Sequence, residues 1–405
     1  MFQVLVTLPA EATVEAALKT LAARRVLSAP VTAPLAGTPF PPGTTPEFRA
    51  AAAARGPLVC HADLRDVLWS FLESLPADEL AGAKLLKRMK ILEEAGSSLA
   101  ALPLAALPVL GTDGVFLATD AAARMSVGDL LARVMLAPPD LATVRPGTAP
   151  RARAAAHRVA LTSPDGRAVT HVVSQLDVAR WLLARVACLG ALATRTLAEA
   201  GWAGRGVVCV RPDTPAIDAL ATMRAHGIAG LAIVDGGGSA GGGGSSGSGA
   251  MIATFALPDL RSLVAEHLGA LALPAGEFLA RSRGREYWGV SAEASAASAR
   301  PSIPDGDAVP TAGDEATGPP PPGVAVAAPV TGRRSSIGDR VGQAVVTASA
   351  SDTVATALAR LVSRRVHRLH VVDEADRPTG VVTLTDVLQF VVDGARADGW
   401  VGTEG

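Results

Sequence analysis

The chain carries the same segment near both ends. Glu11 to Val31, EATVEAALKTLAARRVLSAPV, aligns without a gap on Ser351 to Val371, SDTVATALARLVSRRVHRLHV, with Thr, Val, Ala, Leu, Leu, Arg, Arg, Val and Val coincident. A third copy, Pro212 to Asp235, reads PDTPAIDALATMRAHGIAGLAIVD. Shared apolar composition does not place that many identities in register, so these are copies of one structural unit. A unit this small has one apolar face per helix and cannot cover both sides of its own sheet. Each copy must therefore dock on another.

The last copy shows the unit most clearly. Ser351-Asp352-Thr353 is a polar helix start, and Val354, Ala357, Leu358, Leu361 and Val362 recur behind it at helical spacing. A short apolar strand is expected at Leu369 to Val372. The turn DEADRPTG, with Pro378 and Gly380 as turn residues, leads into a second strand from Val381 to Leu384, and Thr385-Asp386 opens a second amphipathic helix. The fold class is α/β (α+β), built from four β-α-β-β-α units.

Four closing-helix starts are present: Asp63-Leu64-Arg65-Asp66, Ser174-Gln175-Leu176-Asp177, Ala256-Leu257-Pro258-Asp259 and Thr383-Leu384-Thr385-Asp386. An Asp stands at the same place in each. Two readings are open. The carboxylate is a plain helix cap at the positive end of the helix dipole, or it accepts two hydroxyl hydrogen bonds from a ribose while a Ser or Thr three residues earlier approaches the same ligand. Only the second and fourth starts, through Ser174 and Thr383, supply both groups.

Linkers divide the copies. Gly236 to Gly249, GGGSAGGGGSSGSG, buries no apolar area and reads as a flexible loop. About Ser291 to Ser336, with PPPPG, is too poor in large apolar groups to fold alone. Shorter Pro/Gly-rich pieces lie at Pro34 to Pro57 and Pro138 to Pro150. The expected boundaries are repeat one at 1–75 with an insertion at about 34–57, repeat two at 99–190 with an insertion at about 137–156, and repeat three at 191–270. A disordered linker at 289–336 then precedes repeat four at 337–397.

Composition removes several functions. Lys and Arg total 37 against 38 Asp and Glu in 405 residues, which gives no global field for nucleic acid or an anionic membrane. Recognition of an anion must be local. Cys60, Cys188 and Cys209 lie far apart with no metal-ligand spacing, which fits a reducing compartment. No basic leader and no uncharged apolar run of spanning length occurs, so a soluble intracellular protein is expected, cytoplasmic with the nucleus as a second compartment. No GxSxG, HExxH or GxxxxGK[ST] appears, and the Gly-rich tract lacks the Lys and Ser/Thr of a phosphate loop, so no enzyme is expected.

These residues resemble the cystathionine-β-synthase (CBS) motif, whose closing helix begins Ser/Thr-x-x-Asp and whose second strand opens with a hydrophobic-basic sequence. Four motifs in one chain resemble the gamma subunits of the AMP-activated and sucrose-non-fermenting-related protein kinases. The nearest likeness is to plant gamma-like subunits, through KTLAARRVLSAPVTAP, HVVSQLDVARWL, ATFALPDLRSL and RRVHRLHVVDEADRPTGVVTLTDVLQFVV. The resemblance implies four units paired into two modules that form a disc around a central channel. It also implies AMP, ADP or ATP as regulatory ligands with no prosthetic group, alpha-type catalytic and beta-type subunits of a protein kinase as partners, and a role in energy sensing.

It further implies that the His-Arg pair opening the second strand faces that channel and meets nucleotide phosphates. His157-Arg158 and His367-Arg368 hold this place in repeats two and four. Arg offers phosphate a bidentate fork that does not titrate, and His adds a hydrogen bond that changes with protonation. The site set is then His157, Arg158, Ser174, Asp177, His367, Arg368, Thr383, Asp386, Asp66 and Asp259. Arg364 and Arg365 read as helix-end cations and His370 as a strand residue. Leu27, Ala229 and Ala256 stand where the family offers Arg, Ser and Ser/Thr, so repeats one and three lack contacts. Two alternatives follow: a scaffold that assembles a kinase complex without responding to nucleotide, and a regulator of another enzyme that binds an adenosyl ligand such as S-adenosylmethionine.

Overall fold

The computed structural model describes residues 5–35, 37–108, 110, 115–136, 155–235, 249–283 and 345–397. The expected linker at 289–336 and most of the tracts at 236–249 and 138–150 lie outside them. Four three-stranded sheets have one topology, in which the first strand runs parallel to the second and the second antiparallel to the third.

The strands are β1 (Leu8–Pro9), β2 (Ser28–Thr32) and β3 (Leu58–Asp63) in repeat one and β4 (Val115–Ala118), β5 (Arg158–Thr162) and β6 (Val169–Ser174) in repeat two. Repeat three has β7 (Cys209–Val210), β8 (Gly230–Val234) and β9 (Met251–Ala256), and repeat four β10 (Thr347–Ser349), β11 (Arg368–Val372) and β12 (Pro378–Thr383). Each antiparallel pair slips register at the last residue of its second strand, after Val31, Leu161, Ile233 and Val371. The copies are thus alike down to their irregularities.

Local chemistry sets the helix limits. The opening helices Val14–Ala23 and Val354–Ser363 start behind Thr13 and Thr353, whose hydroxyls accept from the Ala16 and Thr356 amides. They end at Arg25 and Arg365 in the left-handed region, φ 53° and 52°, where repeat three has Gly227 at 65°. The pair Arg364-Arg365 is therefore first a helix end.

Two expectations change. Pro378 and Gly380 lie within β12. Gly380 is there because the Trp202 backbone crosses it so closely that a Cβ would collide with the Trp202 carbonyl oxygen. The piece at 34–57 contains a helix, Pro46–Arg55, whose Phe48, Ala51 and Ala52 are buried. A further helix, Leu85–Ala100, belongs to no copy and packs along the 3-10 segment Ala265–Ala272.

Docking uses two kinds of face. Helices of repeats one and three share one core, with Leu18, Leu68, Leu220 and Leu279 among its members. Helices of repeats two and four share another, with Val178, Leu182, Leu358 and Val387. Sheets meet in the other combination. His61 of β3 lies edge-on to Phe116 of β4 at 5.2 Å, and Val207, Ala232, Val234 and Met251 of repeat three form a small core with Val345 and Val372 of repeat four. One through two and three through four are sheet pairs, and the helices join the pairs. Large apolar side chains at both kinds of face hold the four units together.

Candidate functional site

The residue before each second strand makes the same backbone bond. The carbonyls of Leu27, His157, Ala229 and His367 accept the amides of Leu64, Gln175, Leu257 and Leu384, the first residues of the closing helices, at 2.7, 3.0, 3.1 and 3.1 Å. This bond fixes the strand head against the helix head, so residues at both points converge. The four pairs at the strand heads are Leu27-Ser28, His157-Arg158, Ala229-Gly230 and His367-Arg368.

The two arginines act identically. Arg158 Nη1 donates to the Ser28 carbonyl at 3.2 Å, and Arg368 Nη1 donates to the Gly230 carbonyl at 2.6 Å. Each even repeat thereby reaches across its sheet pair to the strand head of the odd one. Gly230 leaves room for this, since a Cβ there would lie 3.1 Å from the Arg368 guanidinium and 2.8 Å from Ala256 Cβ. Burial lowers the pKa of Arg158, and it pushes Arg368 down to about 10, with Asp386 pulling the other way. Both stay charged at neutral pH.

The histidines of repeats two and four lie within electrostatic reach of one another. Burial pushes His367 down to about 4, and Arg158, His157 and Arg368 around it add to the shift. Burial also lowers His157, with Arg65 next, while a hydrogen bond to Gln175 opposes. Both imidazoles are neutral at pH 7. Gln175 donates through Nε2 to the Ala156 carbonyl at 3.3 Å and accepts from Thr385 Oγ1 at 2.9 Å, tying the closing helices of repeats two and four. Gln175 and Thr385 are central residues that the motif reading missed. Gln175 is buried at the first position of its helix, and nothing in the sequence marked that burial.

The four aspartates also share one arrangement. Oδ2 of Asp66, Asp177, Asp259 and Asp386 accepts the amide three residues earlier, from Asp63, Ser174, Ala256 and Thr383, at 3.0, 2.9, 2.9 and 2.8 Å. Ser174 and Thr383 add their hydroxyls to the same oxygen, both at 2.6 Å. Each aspartate thus stands at the third helical position and bonds back to the residue that begins the helix, rather than being the N-cap itself. Oδ1 faces an arginine each time: Arg65 Nε at 3.9 Å, Arg180 Nη1 at 3.2 Å, Arg283 Nη2 at 2.8 Å and Arg205 Nη1 at 3.0 Å. Burial raises the Asp259 carboxyl, and Arg283 pulls it back down.

A shallow cleft lies between the sheets of repeats one and two, lined by Val26, Ser28, Pro30, His61, Arg158 and Val172 among others. It encloses about 40 Å³, room for about two or three waters. His61 is buried beside it, pushed down to about 4 by burial and by Arg158, and its Nε2 has no hydrogen-bond partner among the described residues. In the other sheet pair the buried imidazole is His370 of β11, lowered to about 3 by burial and Arg368, with Nδ1 3.5 Å from Thr254 Oγ1. Among the described residues no His, Cys, Asp and Glu group could hold a metal ion, and no helix is long and apolar enough to cross a membrane.

Comparison with known proteins fits this geometry. The CBS domain family matches residues 203–241, within repeat three, and 338–393, within repeat four. Over 96% of this chain and 97% of its own, a structure from Methanocaldococcus jannaschii, described as a proposed archaeal homolog of g-AMPK, superposes with a TM-score of 0.52 at 13% identity. An uncharacterized conserved protein from Pyrococcus horikoshii shares 13% identity over 58% of this chain and 69% of its own, TM-score 0.31. The CBS domain of a membrane protein from Sphaerobacter thermophilus shares 21% over 53% and 97%, TM-score 0.26. No curated protein matches the chain. The fold is mixed α/β with CBS domains and small mixed sheets, and its architecture is similar to that of the archaeal protein.

Proposed function

We propose that this chain is a gamma-like regulatory subunit that senses adenine nucleotides for a heterotrimeric Ser/Thr protein kinase. The observation that carries the reading is that His157, Arg158 and Arg368 lie near enough to His367 to lower its pKa, which brings the His-Arg pairs of two repeats to one partly open centre. Two guanidinium groups and two neutral imidazoles have no acidic partner bonded to them among the described residues and suit a phosphate. Asp386 and Asp177, on the closing helices beside Arg368 and Arg158, would take ribose hydroxyls. AMP, ADP or ATP would be regulatory ligands, with alpha-type and beta-type subunits as partners in the cytoplasm or nucleus. Ligands that prefer different arrangements of the four units would shift their packing and hence the kinase's activity.

Calorimetry with AMP, ADP, ATP and S-adenosylmethionine tests the ligand, and capture of a kinase catalytic subunit tests the partner. Arg368→Ala should weaken AMP by about 10- to 100-fold in a salt-dependent manner, as expected for a charge-assisted bond of about 1.5–3 kcal/mol. Heat with S-adenosylmethionine alone would favour the adenosyl reading. A nucleotide-insensitive scaffold is the second reading, and the small cleft between repeats one and two together with Leu27, Ala229 and Ala256 favours it. Absence of heat with every nucleotide would support it.

A further inference from the structure

Arg205 lies in the segment that leads into β7 of repeat three, yet its salt bridge is with repeat four. That segment is laid along repeat four from its start. The Leu197 and Ala198 amides donate to the Asp352 and Ala350 carbonyls at 2.9 and 3.0 Å, Trp202 is buried against Phe390 at 5.3 Å, and the Gly204 amide donates to the Thr379 carbonyl at 2.8 Å. Arg205 closes the run. Its Nε donates to the Gly201 carbonyl at 2.9 Å and its Nη1 to Asp386 Oδ1 at 3.0 Å. Four residues later the chain becomes β7, the first strand of repeat three.

Asp386 Oδ2 is committed to the Thr383 amide and hydroxyl, so Oδ1 is the oxygen left for an outside donor. Arg205 holds it. The pair is partly open to water, with the Arg205 side chain 46% and the Asp386 side chain 26% exposed. Repeat three contrasts with this. Arg283 puts both Nε and Nη2 on Asp259 Oδ1 and Nη2 on the Thr254 carbonyl, and both partners are less than a fifth exposed. One arginine is built into its site and the other rests at the edge of its own.

We propose that Arg205 is a displaceable internal counter-ion. It occupies Asp386 in the free protein, pins the Ala203–Gly206 end of the segment to repeat four, and must leave before a ligand hydroxyl donates to Oδ1. A ligand at repeat four then frees the chain entering β7 and reports its binding to repeat three. The ligand part of this rests on the nucleotide reading above, and the pinning does not.

Two measurements on the full chain test it. Hydrogen exchange compares wild type with Arg205→Ala in the absence of ligand, and the Gly204 amide should exchange faster in the variant while the Leu197 amide is unchanged. Calorimetry with AMP should give binding about two- to fivefold tighter in Arg205→Ala, the gain expected from removing a competing exposed ion pair. The gain should vanish when Asp386→Asn is combined with it. Unchanged Gly204 exchange overturns the pinning. Equal or weaker AMP binding by the variant overturns the competition while leaving nucleotide binding intact. No heat from wild type or variant, with Gly204 exchange raised, removes the nucleotide reading and the competition together and keeps the pin.

Discussion

Arg158 and Ser28 are 130 residues apart in sequence, and the guanidinium of one donates at 3.2 Å to the carbonyl of the other. Arg368 and Gly230 repeat the relationship across 138 residues. The bond serves packing and site at once, because it places a partly buried cation at the seam of each sheet pair. A carbonyl neutralises no charge, so the arrangement costs desolvation that an anion would relieve.

Arg368→Ala in the free protein should destabilise the fold by about 1–3 kcal/mol through the orphaned Gly230 carbonyl and the lost packing. Urea unfolding of variant and wild type measures the difference. Arg368→Lys, a point charge on a flexible stem, should restore only part of it.

Stability should fall on acidification below neutral. His61, His367 and His370 are held down to about 4, 4 and 3, below the ordinary 6.5. Between pH 6.5 and about 4 the unfolded chain binds protons that the folded chain refuses, so unfolding becomes easier as pH drops through that window. The stability these groups contribute is complete above pH 6.5 and lost toward pH 4. Thermal melts at pH 7.5, 6, 5 and 4.5 should show a progressive decline. His370→Thr should flatten it.

Arg365 occupies the left-handed position that repeat three fills with Gly227. Arg365→Gly should therefore stabilise by up to about 1 kcal/mol, and Gly227→Ala should destabilise by about 1–2 kcal/mol. Both are read from denaturant midpoints at constant m value.

Gly380→Ala should destabilise by about 1–3 kcal/mol, because the new Cβ forces the Trp202 backbone off β12. Faster exchange at the Gly204 amide in this variant would locate the damage at that crossing.

Much of this was legible in the sequence. The order of elements, the helix start at Thr353 and the aspartate in each closing helix followed from local rules that each copy obeys by itself, while the two His-Arg pairs were picked out through the family resemblance. What escaped was non-local. Arg205 reaches Asp386 across 181 residues, and no periodicity marks a counter-ion at that separation. The helix Leu85–Ala100 has no counterpart among the copies, so alignment of repeats could not find it. Pro378 and Gly380 were read as a turn because those residue types usually make one. Here the glycine answers a backbone crossing from elsewhere in the chain.

The central claim is that His157, Arg158, His367 and Arg368 form one phosphate-binding centre, and the imidazole of His367 reports on it most directly. Its titration, followed by NMR of the ring carbons with and without saturating AMP, should rise from about 4 toward the ordinary range when a phosphate dianion arrives beside it. Resonances of His157 and His367 that stay unmoved at a nucleotide concentration giving full calorimetric saturation would contradict it, and would place the ligand elsewhere in the fold.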